Sequence, residues 1–228
     1  MMPIKEFVDG QYLTFFTKNG TVKKTDLMDY SRIRNGGLRA IELNDGDSLI
    51  NVLLTDGEQT VLIGTKNGMA IRFDEGDVRA MGRTARGVRG VRLNDDDCVI
   101  GACIAPQEAQ ILVVTENGYG KKTPLSEYKI QSRGGKGIFT YKITDKTGTI
   151  AGLDTVEDAD DIMLITSDGV LIRTRADEIS TFGRQTQGVR IMKLANDVKL
   201  VSMAKTAREE DPDEEFESEA DAYSETEE

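Results

Sequence analysis

The sequence predicts an all-β, propeller-like fold: four-stranded blades of about 50 residues, four repeats in all. Three observations predict it. Four turns share one pattern, "TKNG" at 17–20, "TKNG" at 65–68, "TENG" at 115–118 and "TSDG" at 166–169, with glycines 48, 50 and 51 residues apart. Each turn follows a short, largely β-branched apolar run: "LTFF", "VLIG", "ILVV" or "IMLI". Helical periodicity is absent throughout, so the apolar runs read as strands buried on both faces.

Taken in order, each repeat offers the same elements. The apolar run is the first strand, and Asn-Gly or Asp-Gly makes a hairpin, with a type I′ turn expected. A mixed strand follows, such as "MAIRF" or "VLIRT". After a longer irregular stretch comes a strand ending in "ELNDGD", "RLNDDD", "KITDKT" or "KLANDV". The runs "LINVLL", "VIGACI" and "TIAGLD" open the next unit. The repeats are bounded at about 1–48, 49–98, 99–149 and 150–204, within a domain spanning 1–208.

Composition excludes several kinds of chemistry. The chain has no histidine, which removes the commonest general base and any Ser-His or Cys-His pair. Cys98 and Cys103 lie in an apolar run and read as reduced, buried thiols, with no metal site expected. No stretch is long and apolar enough to span a membrane and no secretory signal is visible, so a cytoplasmic protein is expected. The net charge of -11 is unevenly distributed. Residues 209–228 hold 12 of the 40 acidic residues and no basic one, leaving 28 against all 29 basic residues in 1–208. That tail reads as disordered, and the body is neutral on average.

The repeats agree in chemistry as well as in pattern. Four residues past the turn glycine stands Lys24, Arg72, Lys122 or Arg173, with Lys23, Lys121 and Arg175 beside them. Nine past it stands Asp29, Asp77, Glu127 or Glu178, read as structural: a carboxylate that accepts backbone N–H groups or pairs with a neighbouring arginine. Ten past it comes an apolar anchor, Tyr30, Val78, Tyr128 or Ile179. An Arg/Gly loop follows each time: "RIRNGG", "GRTARGVRG", "QSRGGKG" and "GRQTQG". Repeats are related by rotation, so equivalent cations should form one belt, suited to a polyanion wound around the rim. The expected phosphate contacts are Lys23, Lys24, Arg72, Lys121, Lys122, Arg173 and Arg175 from strands. From loops they are Arg34, Arg83, Arg86, Arg89, Arg133, Lys136 and Arg184. "QSRGGKG" is no nucleotide-binding P-loop, because Lys136 is followed by Gly137 and a strand rather than by Ser/Thr and a helix.

The stretches "TKNGTVKKT", "VRAMGRTARGVRGVRL", "ENGYGKKTPLSEYKIQSRGGKG" and "SDGVLIRTRADEISTFGRQTQGVRIMKL" resemble the C-terminal domain family of bacterial DNA gyrase A, a component of type IIA topoisomerases. The resemblance runs from about Tyr12 to Met203, and the acidic tail fits it. It implies a β-pinwheel whose blades exchange strands and whose basic perimeter wraps duplex DNA without sequence specificity. It further implies a part in ATP-dependent negative supercoiling, with gyrase B and the rest of gyrase A as partners. No cofactor is implied for this chain; ATP and magnesium belong to the whole complex, which is bacterial, cytoplasmic and nucleoid-associated. By register the chain begins at the family's third blade. Gln131, Ser132, Arg133, Gly134, Gly135, Lys136 and Gly137 are similar to the family's gyrase box, with Ser132 in place of a basic residue. Their position in the third repeat fits the equivalent loop of a later blade better. Alternative readings are the matching domain of topoisomerase IV and a protein-interaction propeller. The resemblance implies no catalytic residue here, and for the tail either a solubilising end or a DNA mimic that competes for the belt.

Overall fold

The computed structural model describes residues 2–208; the acidic tail, expected to be disordered, lies outside the described residues. The chain forms fifteen strands among the described residues and only three short 3₁₀ turns, at Leu27–Tyr30, Glu75–Asp77 and Leu125–Glu127. In order they are β1 (Tyr12–Thr17), β2 (Thr21–Asp26), β3 (Leu49–Thr55), β4 (Thr60–Thr65), β5 (Met69–Asp74), β6 (Val88–Arg89), β7 (Val99–Ile104) and β8 (Gln110–Thr115). Then follow β9 (Tyr119–Pro124), β10 (Ile138–Phe139), β11 (Ile150–Val156), β12 (Asp160–Thr166), β13 (Leu171–Arg175), β14 (Val189–Arg190) and β15 (Leu200–Ala207).

These strands make four antiparallel sheets: β3-β1-β2-β6, β7-β4-β5-β10, β11-β8-β9-β14 and β15-β12-β13. The fold is the all-β, propeller-like array that the repeats predict, and the pinwheel that the resemblance implies. The first strand of each hairpin lies mid-sheet; β4 and β8 are buried on both faces and are apolar runs accordingly, β1 is interrupted by the buried Thr14, and β12 has Met163 and Ile165 half-buried. Burial of Phe16, Leu62, Ile63, Leu112, Val113, Ile162 and Leu164 contributes roughly 1.5–3 kcal/mol each. Innermost strands of successive blades touch: β3 with β7, β7 with β11, and β11 with β15. Backbone bonds step between blades at Val99 N–H to Lys18 O, Ile150 N–H to Lys66 O and Leu200 N–H to Glu116 O.

Three features differ from the sequence reading. First, the hairpin turns are not type I′. Only the glycine has positive φ (Gly20 85°, Gly68 89°, Gly118 77°, Gly169 85°), and Gly20 N–H bonds to Thr17 O. This is a three-residue loop with a glycine bulge. Second, β3, β7 and β11 complete the sheet of the hairpin before them, so a unit drawn at 49–98 is shared between two sheets. Third, the repeat pattern put the outermost strand within its own unit, whereas it is two residues long and comes from the following repeat, the exchange that the resemblance implies: β6 pairs with β2, β10 with β5 and β14 with β9. The fourth sheet has three strands among the described residues.

The exchange explains the turn glycines. The incoming segment crosses directly over the turn, and two of its N–H groups bond to the glycine carbonyl: Gly90 and Val91 on Gly20, Ile191 and Met192 on Gly118. A Cβ on Gly20 would lie 2.8 Å from Val91 O, and on Gly118 2.4 Å from Met192 O. At Gly169, which no described segment crosses, a Cβ would meet no atom of the described residues within 4 Å.

Candidate nucleic-acid interface

Five of the expected strand cations are interior, and the belt must be corrected accordingly. Lys23 and Lys121 are fully covered, and Lys122, Lys24 and Arg72 are 4%, 6% and 9% exposed. Their offset from the turn puts them on the hairpin strand that the next repeat crosses. Lys23 Nζ donates to Ala40 O and Arg83 O, both at 2.5 Å, above the Phe15 ring. Lys121 Nζ donates to Gly183 O and Arg184 O, both at 2.6 Å, and faces the Tyr141 ring. Burial pulls both ammonium groups down to about 8. They therefore clamp the crossing loop by its carbonyls. The equivalent positions in the second and fourth blades are Ile71 and Ile172.

The neighbouring position holds blades together. Lys24 Nζ bonds to Glu75 O at 2.9 Å and lies 3.7 Å from its carboxylate. Arg72 reaches Thr60, Ala105 O and Tyr128 O. Lys122 pairs with Asp158 at 2.5 Å. Arg173 and Arg175 are exposed at the strand surface and pair with Asp161 and Asp177.

In the third and fourth repeats the first arginine of the loop, Arg133 or Arg184, is tethered by the acidic residue nine past the turn of the preceding repeat, whose carboxylate accepts the arginine backbone N–H. Glu127 accepts the Arg184 N–H at 3.0 Å and lies 3.8 Å from its guanidinium, which also donates to Phe139 O at 2.8 Å. Arg133 donates to Asp77 O at 2.9 Å and Arg89 O at 3.0 Å. Arg83, Arg133 and Arg184 are half-buried, whereas Arg34, Arg86, Arg89 and Lys136 are exposed. Arg86 is paired with Glu42 at 2.9 Å.

"QSRGGKG" turns a corner on the outer edge of the second blade. Gly134 N–H bonds to Gly90 O at 2.6 Å, and Arg92 N–H bonds to Gly135 O at 2.8 Å, lacing two successive rim segments together. Gly137 has φ 79°, and a Cβ there would lie 2.2 Å from Ala70 O, so only glycine lets the loop reach β5. Gly87 and Gly188 repeat this approach, at 2.6 Å from Val22 O and 2.3 Å from Gly120 O. A Cβ on Gly37, the first member of the series, would meet no atom of the described residues within 4 Å. Ser132 and Lys136 point outward, while Gln131 and Arg133 are half-buried.

The sequence reading missed an exposed cationic row. Arg92, Lys142 and Lys193 stand five residues past the loop glycines Gly87, Gly137 and Gly188 and are all exposed. Their side chains make no ion pair or hydrogen bond among the described residues. Arg39, Arg79, Lys129 and Arg190 are exposed on the same segments. The signal was present: the basic residue that opens "RLN", "KIT" and "KLA" recurs at constant spacing. The basic residues four past the turn glycine in the first three repeats lie instead on the strand that the next repeat covers.

Cys103 is buried, which pushes its thiol far above the ordinary range, and Cys98 is half-buried rather than fully buried as expected. Among the described residues no three His, Cys, Asp or Glu side chains gather to hold a metal, and no helix is long and apolar enough to cross a membrane.

Comparison with known proteins follows the same lines. The family model described as "DNA gyrase C-terminal domain, beta-propeller" matches residues 11–56, 59–102, 109–157 and 160–207. DNA gyrase A of Halalkalibacterium halodurans is 55% identical over 230 residues, covering 100% of this chain and 28% of the relative. DNA gyrase A of Streptococcus pyogenes serotype M1 is 62% identical over 198 residues, covering 87% and 24%. The chain thus spans about a quarter of the length of these relatives. Among solved structures, a DNA topoisomerase IV C-terminal domain superposes with TM-score 0.85 at 28% identity, covering 97% of this chain and 69% of that one. A DNA gyrase A C-terminal domain gives 0.80 at 29%, covering 89% and 68%.

Proposed function

Because the chain belongs to the DNA gyrase C-terminal domain family, we propose that its outer rim binds the backbone of duplex DNA and bends it around the blades. One observation carries this reading. The exchanged segments bearing Arg89 and Arg92, Lys136 and Lys142, and Arg190 and Lys193 lie on the outer edges of three successive blades, with these cations exposed. Backbone bonds lace neighbouring segments, so the cations advance along the perimeter at blade spacing. Cations on a rigid, curved frame neutralise successive phosphates and give affinity without base readout.

The interior lysines then act indirectly. Lys23 and Lys121 hold the loops whose exposed arms meet the backbone, and Asp77 and Glu127 fix the arginines that join one loop to the next. In the whole enzyme this rim would present a wrapped segment to the rest of gyrase A. Gyrase B, with ATP and magnesium, would drive the supercoiling; the chain itself supplies binding and curvature rather than catalysis.

The test is equilibrium binding to a duplex of about 50 base pairs across a salt series. Neutralising Arg92, Lys142 and Lys193 to glutamine is expected to weaken binding to all sequences alike. It should also lower the log–log salt slope by about 0.9 per residue. Unchanged affinity and slope would overturn the rim assignment.

A further inference from the structure

Two blades carry the same cavity with different electrical character. In the second blade a cavity of about 370 Å³ is lined by Asn67, Phe139, Tyr141, Lys142, Ile143 and Gln185, with a single cation. At the same place in the third blade, a cavity of about 400 Å³ is lined by Asn117, Tyr119, Lys146, Arg190, Lys193 and Lys199 among others, with Asp197 its one carboxylate. Asn67 corresponds to Asn117, Phe139 to Arg190, and Lys142 to Lys193.

The difference extends to the turn beside the cavity. In the first two blades the turn N–H of Asn19 or Asn67 bonds to an aspartate, Asp47 or Asp97, in the facing loop. In the third blade Thr147 stands in that place, and Asn117 N–H takes its backbone carbonyl instead. Lys146 occupies the loop where the second blade has Asp96. Lys199, at the position of Thr149, donates to the Asn117 side-chain oxygen.

Two of the cations lie over one aromatic ring. Tyr119 is 7% exposed, with Lys146 Nζ 5.2 Å and the Arg190 guanidinium 5.3 Å from its centroid. Arg190 also donates to the Tyr119 hydroxyl at 2.8 Å, which fixes its planar fork. None of these four cations forms an ion pair among the described residues. Four cations converging within one concavity repel one another unless an anion joins them.

We propose that this cavity binds a phosphate group, held by Lys146, Arg190, Lys193 and Lys199. A guanidinium flanked by flexible ammonium groups suits tetrahedral phosphate oxygens. The Tyr119 ring is covered by cations, so the site takes the phosphate and not a stacked base. That phosphate comes either from a free polyphosphate anion or from the DNA backbone; the site's location, at the hairpin ends, is distinct from the loops that carry Lys136 and Arg133.

The test replaces the lining with what the second blade carries at the same places: Lys146→Asp, Arg190→Phe and Lys199→Thr together. The full chain and this variant are titrated with sodium pyrophosphate by calorimetry and phosphorus NMR, and separately with a duplex. Pyrophosphate binding that the variant weakens at least tenfold establishes the site for a free anion, whether or not the rim binds DNA. Absent pyrophosphate binding, with duplex affinity at least fivefold lower in a Lys146→Asp, Lys199→Thr variant that keeps the rim residue Arg190, assigns it to the backbone. Lys142→Gln serves as a rim control and should leave the pyrophosphate titration unchanged. A circular-dichroism melt confirms that the variant folds. If neither pyrophosphate nor duplex distinguishes the folded variant from the parent chain, the proposal fails.

Discussion

The Nζ of Lys121 in the third blade lies 2.6 Å from the carbonyl oxygen of Gly183, 62 residues further along the chain. With Lys23, which makes the same kind of contact to Arg83 O, it is a fully covered cation whose partners are carbonyls rather than a carboxylate. Asp29 near Lys23 and Glu127 near Lys121 oppose the effect of burial only in part, and Arg83 and Arg184 add to it.

Stability should therefore rise on the alkaline side. Below pH 8 both lysines are charged in the folded and unfolded chain. From pH 8 upward the folded state gives up these protons first, while an unfolded lysine keeps its proton to about 10.4. The unfolded chain then binds more protons, so stability increases by about 1.4 kcal/mol per pH unit for each lysine at most. Urea midpoints between pH 8 and 9.5 should show this rise. The Lys23→Ile, Lys121→Ile double variant, which copies Ile71 and Ile172, should lack it.

Two glycines with nearly the same backbone angle should respond differently to alanine. Gly137→Ala combines a left-handed φ with a Cβ placed 2.2 Å from Ala70 O, and a loss of about 2–4 kcal/mol is expected. Gly169→Ala, at φ 85° with open space around it, should lose only about 1 kcal/mol. Denaturant titration of the two variants compares them directly.

Charge reversal should separate frame from surface. Lys122→Glu sets a second carboxylate beside Asp158 at a nearly covered position and should cost about 3 kcal/mol of stability. Lys142→Glu, on the exposed rim, should change stability by less than about 0.5 kcal/mol yet weaken duplex binding. A thermal melt and a binding isotherm for each variant test both halves.

The two thiols should label in sequence. Cys98 is half-buried and should react with iodoacetamide in the native protein, while Cys103, buried and held protonated, should react only after denaturation. Mass spectrometry with and without urea reads the order. Equal native labelling would contradict the packing around β7.

The repeat, its period and the two-face burial of the mid-sheet strands were legible in the sequence, because turn glycines and apolar runs are local signals. The structural role of Asp77 and Glu127 was legible as well, since a carboxylate before a buried anchor has few other uses. The burial of Lys23 and Lys121 was not. A lysine on a mixed strand looks like a solvated one unless the chain that covers it is known. That chain arrives from the next repeat, and no local pattern around "VKKT" or "GKKT" announces it. The same non-local crossing hid Arg92, Lys142 and Lys193, whose outward direction depends on a two-residue strand too short to show periodicity.

Interleaving also sets how the array behaves as a whole. Because β6, β10 and β14 each belong to one repeat by sequence and to another by hydrogen bonding, no cut in the chain falls between two finished sheets. Melting one unit strips an edge from its predecessor, so the coupling between neighbours is built into the covalent order rather than left to a removable interface. Units gained or lost in such an array must be exchanged as a phase-shifted segment, from one mid-sheet strand to the next.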